Sequence, residues 1–421
     1  MHIKSKKYNY KIGSDKKMGF IYKPVDAAGT IIASLLLSIM LISCAADKAD
    51  KHETLNSEYI QHVKVFNEED RFAAWPANNG AWTWGDEILV GFVEADYMGE
   101  AGFHTYDQNT ARHKYARSTD GGLTWNIEDA FEQGHTGWGY DHDLDQNEAD
   151  LPVKLTVPIN DFLNPDFIMT FVRHNNANGP THFYYSENRG NQWEGPFQFP
   201  NLNTPGVANR NDYIVDGEQE LTVFITTAKE NGEEGRVATV RTENGGVDWE
   251  FISWIGSEHE GFDIMPSTVR LSSTDLFTVI RTRDANPTRD YLKAYRSSDN
   301  GETWRRLKDP VADTGQYGAP PSLLQLDDGR LALAYVYRSD FGSRICMRIS
   351  SDEGETWSHE IPIRAGDGAT ADVGYPRMVK GQDNNLVVMY YWNHAGDKNA
   401  DPDRYIAASL VDTDLFTEIG L

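Results

Sequence analysis

The residues of this chain whose types and placement could do chemistry are arginines, histidines and a tyrosine. Arg210 and Arg377 each open an apolar run, and Arg281 closes one. A guanidinium presents a planar fork that holds a carboxylate through two parallel hydrogen bonds. His104 and His113 share one polar stretch between apolar runs, and Tyr375 stands two residues before Arg377. Histidine titrates near neutrality and is the usual general base. Together these groups suit β-elimination from a uronic acid. Arginines neutralise the carboxylate and make the C5 proton more acidic, a histidine removes that proton, and a tyrosine protonates the oxygen leaving C4. The product is a 4,5-unsaturated uronate. If the leaving group is a sugar the enzyme is a lyase, and if it is hydroxyl a dehydratase. Trp75 offers an aromatic face to a sugar ring, and Asp212, close to Arg210, joins the substrate-binding set.

Such residues need a scaffold to bring them together, and a repeat supplies one. Ser118, Asp120, Gly122 and Trp125 form a Ser-x-Asp-x-Gly-x-x-Trp pattern that recurs unchanged at Ser297–Trp304 and Ser350–Trp357. Weaker copies run from Ser186 to Trp193 and from Thr242 to Trp249. The tryptophans are 68, 56, 55 and 53 residues apart. A period near that length fits one blade of a β-propeller. Each copy reads as a tight turn in which Ser or Thr and Asp or Asn bond nearby backbone and Gly takes a conformation other residues avoid. Between copies lies a second module of apolar strand, polar turn and apolar strand, seen best in Pro321–Leu326, Asp327–Gly329 and Leu331–Tyr337. Six such modules predict six blades, the first cut by an insertion over Glu94–Lys114, with Glu58–Phe66 closing the ring against the last blade. Strand starts and second-strand ends then share one face. That face gathers Trp75, His104, His113, Arg173, Arg210, Asp212, Lys229, Arg281, Arg283, Arg338, Tyr375 and Arg377, and the Ser-Asp-Gly-Trp turns fall on the other.

These turns are Asp boxes, and the chain resembles the sialidase (neuraminidase) superfamily from about residue 60 to the end. The resemblance implies an all-β fold, a six-bladed β-propeller of the sialidase type. It also implies three arginines on a substrate carboxylate, for which Arg210, Arg281 and Arg377 stand, and a tyrosine nucleophile, for which Tyr375 stands. The chain departs from that pattern at Arg71-Phe72-Ala73-Ala74-Trp75-Pro76, where the usual Arg-Ile-Pro motif is missing, and offers only Asp86 and Asp212 as acids. Its histidines bring it closer to the propeller-type lyases that cut ulvan and related algal polysaccharides with His, Tyr and Arg. The expected activity is therefore elimination on the acidic terminal residue of an anionic oligo- or polysaccharide. Alternatives are sialidase-like exo-hydrolysis and non-catalytic glycan binding.

The N-terminus is basic, and the apolar run Ile31–Ile42 ends at Leu41-Ile42-Ser43-Cys44. This is the form of a secretory signal, and Cys44 sits where bacterial lipoproteins carry their lipid. We expect a leader over 1–43, an acylated Cys44, a tether over 44–57 and the propeller over 58–421. The protein is then a monomer on the bacterial cell envelope that meets the membrane only through its lipid. A formal charge of −25, from 39 basic and 64 acidic residues, argues against nucleic acid as partner. It still allows a local arginine cluster to take an anionic sugar. No cofactor is expected. The stretch Tyr140–Asp145 resembles part of a calcium loop but fails its spacing, so no divalent metal is supported. Cys346, the second of two cysteines, falls on an apolar strand and reads as core.

Overall fold

The computed structural model describes residues 58–99, 102–135, 152–174, 177, 179–208, 210–340, 342–383, 385–394 and 404–421. The leader and tether over 1–57 with Cys44, the stretch Tyr140–Asp145, Trp138 and Asn209 lie outside the described residues.

The five Asp boxes close through one set of bonds. In the first, Ser118 Oγ donates to Asp120 Oδ1 (2.8 Å) and accepts from Gly122 N (2.8 Å), while Thr124 N donates to Asp120 Oδ1 (2.8 Å). The same bonds recur at 297–303 and 350–356, and the weaker copies keep them with Asn188 and Asn244 in place of Asp. Each box tryptophan leans on the blade before it. Trp249 meets Phe183, Trp304 meets Phe224 and Trp357 meets Phe277, with centroids 6.0–6.2 Å apart. The fold therefore stacks blade on blade through its turns. Gly354 sits at φ +89°, and a Cβ there would overlap the Phe277 ring. Gly354→Ala is expected to cost roughly 2–4 kcal/mol, from the left-handed backbone and the overpacked ring together. A lower urea midpoint at unchanged slope would show it.

The strands make six antiparallel sheets. The first blade pairs Glu87–Asp96 with Arg112–Ser118, which in turn pairs with Asn126–Asp129. Its inner edge is split, because Arg71–Ala74 and Ala81–Trp84 both pair with Glu87–Asp96 and the short helix Pro76–Asn79 lies between them. The second blade shows three strands among the described residues: Ile168–Arg173, Thr181–Ser186 and Glu194–Gln198. The next three blades begin at Tyr213–Val215, Gly261–Arg270 and Ser322–Gln325. In the last, Gly374–Lys380, Asn385–Asn393 and Arg404–Asp412 are joined by Ile60–Phe66, which pairs with Arg404–Asp412 and closes the ring as the sequence predicts.

Apolar side chains collect in seams between successive blades. Leu89 and Tyr115 meet Ile168 and Tyr184 between the first and second, and Phe277 meets Leu331 and Leu333 between the fourth and fifth. Cys346 is a fully buried thiol in the latter seam. Inner strands are tied across blades by a repeated bond: Leu323 N donates to Ser267 Oγ and Met378 N to Ser322 Oγ, each 2.9 Å. Because each blade buries its faces against its neighbours, the hub is free to carry polar groups.

Candidate functional site

Four inner strands enter the hub through a backbone irregularity. Trp75, Asn211, Met265 and Tyr375 all have left-handed φ, between +53° and +66°, at the mouth of the inner strands of four blades. The register slips at two of these places, between Ile264 and Pro266 and between Gly374 and Arg377. A non-glycine residue pays about 1–2 kcal/mol for that conformation. Surroundings must therefore hold it, and such residues cluster at functional sites.

Tyr375 is the centre of the group. Its ring is 8% exposed, and Arg281 Nη1 donates to its hydroxyl at 3.2 Å. Burial alone would raise its pKa. The charges of Arg281, Arg210, Arg338 and Arg173 outweigh that and hold the phenol below its ordinary range. Arg173 ends Ile168–Arg173 in the second blade, Arg281 lies within Leu276–Ala285 in the fourth, and Arg338 follows Leu331–Tyr337 in the fifth. Arg338 is locked by donating to Val373 O (2.8 Å), Gly318 O (2.7 Å) and Tyr391 Oη (2.9 Å).

The three arginines expected to act together are divided. Arg281 bonds the Tyr375 hydroxyl, and the charge of Arg210 acts on it. Arg377, two residues further along the strand than Tyr375, turns its Nη2 to the carbonyls of Ala77, Arg210 and Asn211 and so ties blades together. Asp212 likewise serves the scaffold. Its carboxylate accepts from Thr268 N (3.2 Å) and Thr268 Oγ1 (2.8 Å) in the next blade. Burial pushes its pKa up to about 7, against the Arg377 charge and the Thr268 bonds.

The two histidines of the insertion also part company. His113 pairs with Val93 across the first blade, and the two-residue alternation of a strand sends its ring to the same side as Tyr115. There it packs 4.8 Å from His135, which stacks on Tyr184. His113 therefore lies in the seam between blades and not at the hub, a correction to the expectation that it could be the base. His104 stays at the mouth. Its ring stands edge-on to Trp75 at 5.0 Å, its main-chain N donates to Asp372 Oδ2 (3.0 Å), and its Nε2 lies 3.4 Å from Asp372 Oδ1. Partial desolvation of a side chain that stays 38% exposed, then the charges of Arg338, Arg281 and Arg404, lower its pKa against the pull of Asp372, which favours the neutral ring at pH 7. Arg281 and Arg338 thus act on both His104 and Tyr375.

Trp75 is 4% exposed and serves as the wall on which His104 and Tyr106 pack. Trp82 and Trp84 line a cavity of about 420 Å³ with Leu324, Met378 and Lys380, at the other end of the inner strands. Trp392 is fully buried in its blade. Sequence reasoning assigned no role to Asp372, Tyr391 and Arg404, which form one buried network: Tyr391 Oη donates to Asp372 Oδ1 (2.8 Å) and Arg404 Nε to Asp372 Oδ2 (3.1 Å). A signal for the arginines was present, since Arg173, Lys229, Arg281 and Arg338 put a cation near the end of the second strand in four successive blades. Among the described residues, no group of three His, Cys, Asp or Glu side chains is placed to hold a metal, and no helix is long and apolar enough to cross a membrane.

Comparison with known proteins agrees with this architecture. No curated protein matches the chain. A protein of unknown function from Dyadobacter fermentans is 21% identical, with TM-score 0.61 over 84% of this chain and 99% of that one. The phage phi92 endosialidase is 11% identical, with TM-score 0.55 over 84% and 69%. The α-L-arabinofuranosidase Arb93A from Fusarium graminearum is 12% identical, with TM-score 0.51 over 85% and 98%. At such identities the likeness is one of fold. Residues 127–388, more than half of the sequence, match the BNR repeat-like domain. The chain belongs to that BNR repeat-like family, built as a six-bladed propeller of the sialidase type.

Proposed function

We propose that the chain is a carbohydrate-active enzyme that eliminates across C4–C5 of a terminal uronic acid in an anionic oligo- or polysaccharide. The observation that carries this reading is the Arg281 bond to the buried hydroxyl of Tyr375, with Arg338 5.5 Å from the same ring and the charges of Arg210 and Arg173 acting on it. In a chain of net charge −25, a cationic hub of this kind selects an anion. The carboxylate of the sugar sits against Arg281 and Arg210, which stabilise the charge that builds up as the C5 proton leaves. His104 is the base. With its Nε2 proton directed at Asp372, Nδ1 carries the lone pair that takes the proton from C5. The electrons of that C–H bond form the C4=C5 double bond, the C4–O bond breaks, and Tyr375 gives its proton to the departing oxygen. The same reading tethers the monomeric propeller to the bacterial envelope through an acylated Cys44.

The second reading is hydrolysis through a covalent Tyr375 intermediate, and the depressed pKa of that hydroxyl favours it. One incubation separates the two. With uronate-terminated oligosaccharides, elimination is expected to produce the ultraviolet absorbance of a conjugated 4,5-unsaturated uronate in step with turnover. Release of a saturated sugar without that absorbance would replace elimination by hydrolysis. Binding with neither product would leave a glycan-binding protein.

A further inference from the structure

Most aromatic side chains around Tyr375 are buried, but Tyr317 keeps 52% of its surface open. It belongs to the connection between the fourth and fifth blades, and its backbone is left-handed at φ +62°. That conformation persists because the main chain on both sides is pinned. Thr314 N donates to Asp290 O, Gln316 N to Arg338 O and Arg338 N to Thr314 O, all between 2.9 and 3.0 Å. Gly318 O accepts from Arg338 Nη1 (2.7 Å), and Tyr317 O itself accepts from Arg281 Nη2 at 2.6 Å. One strained residue therefore both orients the arginine nearest Tyr375 and displays a phenol ring beside it. The edge of that ring meets Phe103 of the first-blade insertion, with centroids 4.6 Å apart at 61°. Phe103 precedes His104, and Arg338 lies 5.8 Å from the Phe103 ring and 5.5 Å from that of Tyr375. The two aromatic rings thus border the mouth next to the base and the arginines.

We propose that Tyr317, braced by Phe103, is a stacking subsite for the sugar unit joined to the acidic residue held at Tyr375. This rests on the reading of the hub as a site for an acidic sugar. A pyranose presents a face of C–H groups that covers an aromatic ring, and an exposed ring on a fixed backbone loses little freedom when it is covered. Because the carbonyl of the same residue holds Arg281, the second sugar is placed by the element that places the carboxylate. The substrate class is then an oligosaccharide of at least two units, and a free uronate fills only half of the site.

Calorimetric titration in a Tyr375→Phe background, which slows turnover by roughly 10²–10⁴-fold, tests this with two probes: glucuronate and a glucuronate-terminated disaccharide. The disaccharide is expected to bind on the order of tenfold more tightly than glucuronate, the worth of one good ring contact. Tyr317→Ala should remove that gain and leave glucuronate unchanged, and Tyr317→Phe should keep it. Equal disaccharide affinity before and after Tyr317→Ala overturns the subsite while leaving the acidic-sugar reading standing. Equal losses for both sugars would mean that Tyr317 acts only through Arg281, which also overturns it. Failure of both probes to bind with Tyr317 intact overturns subsite and reading together.

Discussion

Tyr375→Phe is expected to lower kcat by roughly 10²–10⁴-fold while leaving the propeller folded, the range for losing a positioned proton donor. The hydroxyl accepts one bond from Arg281 in a site surrounded by guanidinium groups, so the stability cost is about 1–2 kcal/mol. The pH profile identifies the role. In the elimination reading the working enzyme has His104 neutral and Tyr375 protonated. His104 titrates below the ordinary histidine range, which places the acid limb of kcat/KM below pH 6. Tyr375 titrates below the ordinary tyrosine value of about 10, so the alkaline limb falls before free tyrosine would ionise, and Tyr375→Phe should erase that limb from the residual activity. If Tyr375 is instead a nucleophile, the rate climbs through the same ionisation. A rising alkaline profile would therefore remove the acid role. The linkage to stability has a definite sign. A depressed phenol pKa contributes stability that is complete above the unfolded value and is lost as pH falls through the folded one.

How far these residues could be seen in the sequence depends on the distance over which each is specified. Asp boxes are local: Ser118, Asp120 and Gly122 bond to one another within four residues, so the turns and their period are legible from pattern alone, and the strand modules between them complete the count of six. Strand starts are nearly as legible, and Arg210 and Tyr375 fall at the hub for that reason. Arg377 escapes because a two-residue step along an inner strand, combined with the bulge after Gly374, decides between the mouth and the strut beneath it. His113 escapes for a related reason: the first-blade ladder runs on to Glu94 and Arg112, so the insertion is shorter than the polar stretch suggests and His113 belongs to a strand. Asp372 and Arg404 were invisible because their partnership joins the lead-in to the first strand and the start of the third strand of the last blade, 32 residues apart.

That partnership carries the second large prediction. Asp372→Ala is expected to destabilise the protein by about 3–5 kcal/mol, the cost of leaving a buried charge without its partner. Asp372 and Arg404 are both fully buried, and the carboxylate also accepts from Tyr391 and from the main chain of His104. A surface comparison sets the scale. Asp327 is 85% exposed on Lys380, and Asp327→Ala should change stability by less than about 1 kcal/mol. Burial would raise the Asp372 pKa, but the charges of His104 and Arg404 hold it below the carboxylate range. For a depressed acid the stabilisation is present above the unfolded value of about 4 and is lost as pH falls through the folded one. Asp372→Asn should therefore flatten the acid side of the stability curve between pH 4 and lower values, which urea melts at stepped pH would read. Catalysis should respond separately. Asp372 is the group that raises the His104 pKa, so its neutral replacement moves the acid limb of kcat/KM to still lower pH, while kcat falls because the insertion loses the bond that holds His104 over the hub. If Asp372→Ala melts no earlier than Asp327→Ala, Arg404 is hydrated in the folded protein, and His104 must be held by its packing on Trp75 alone.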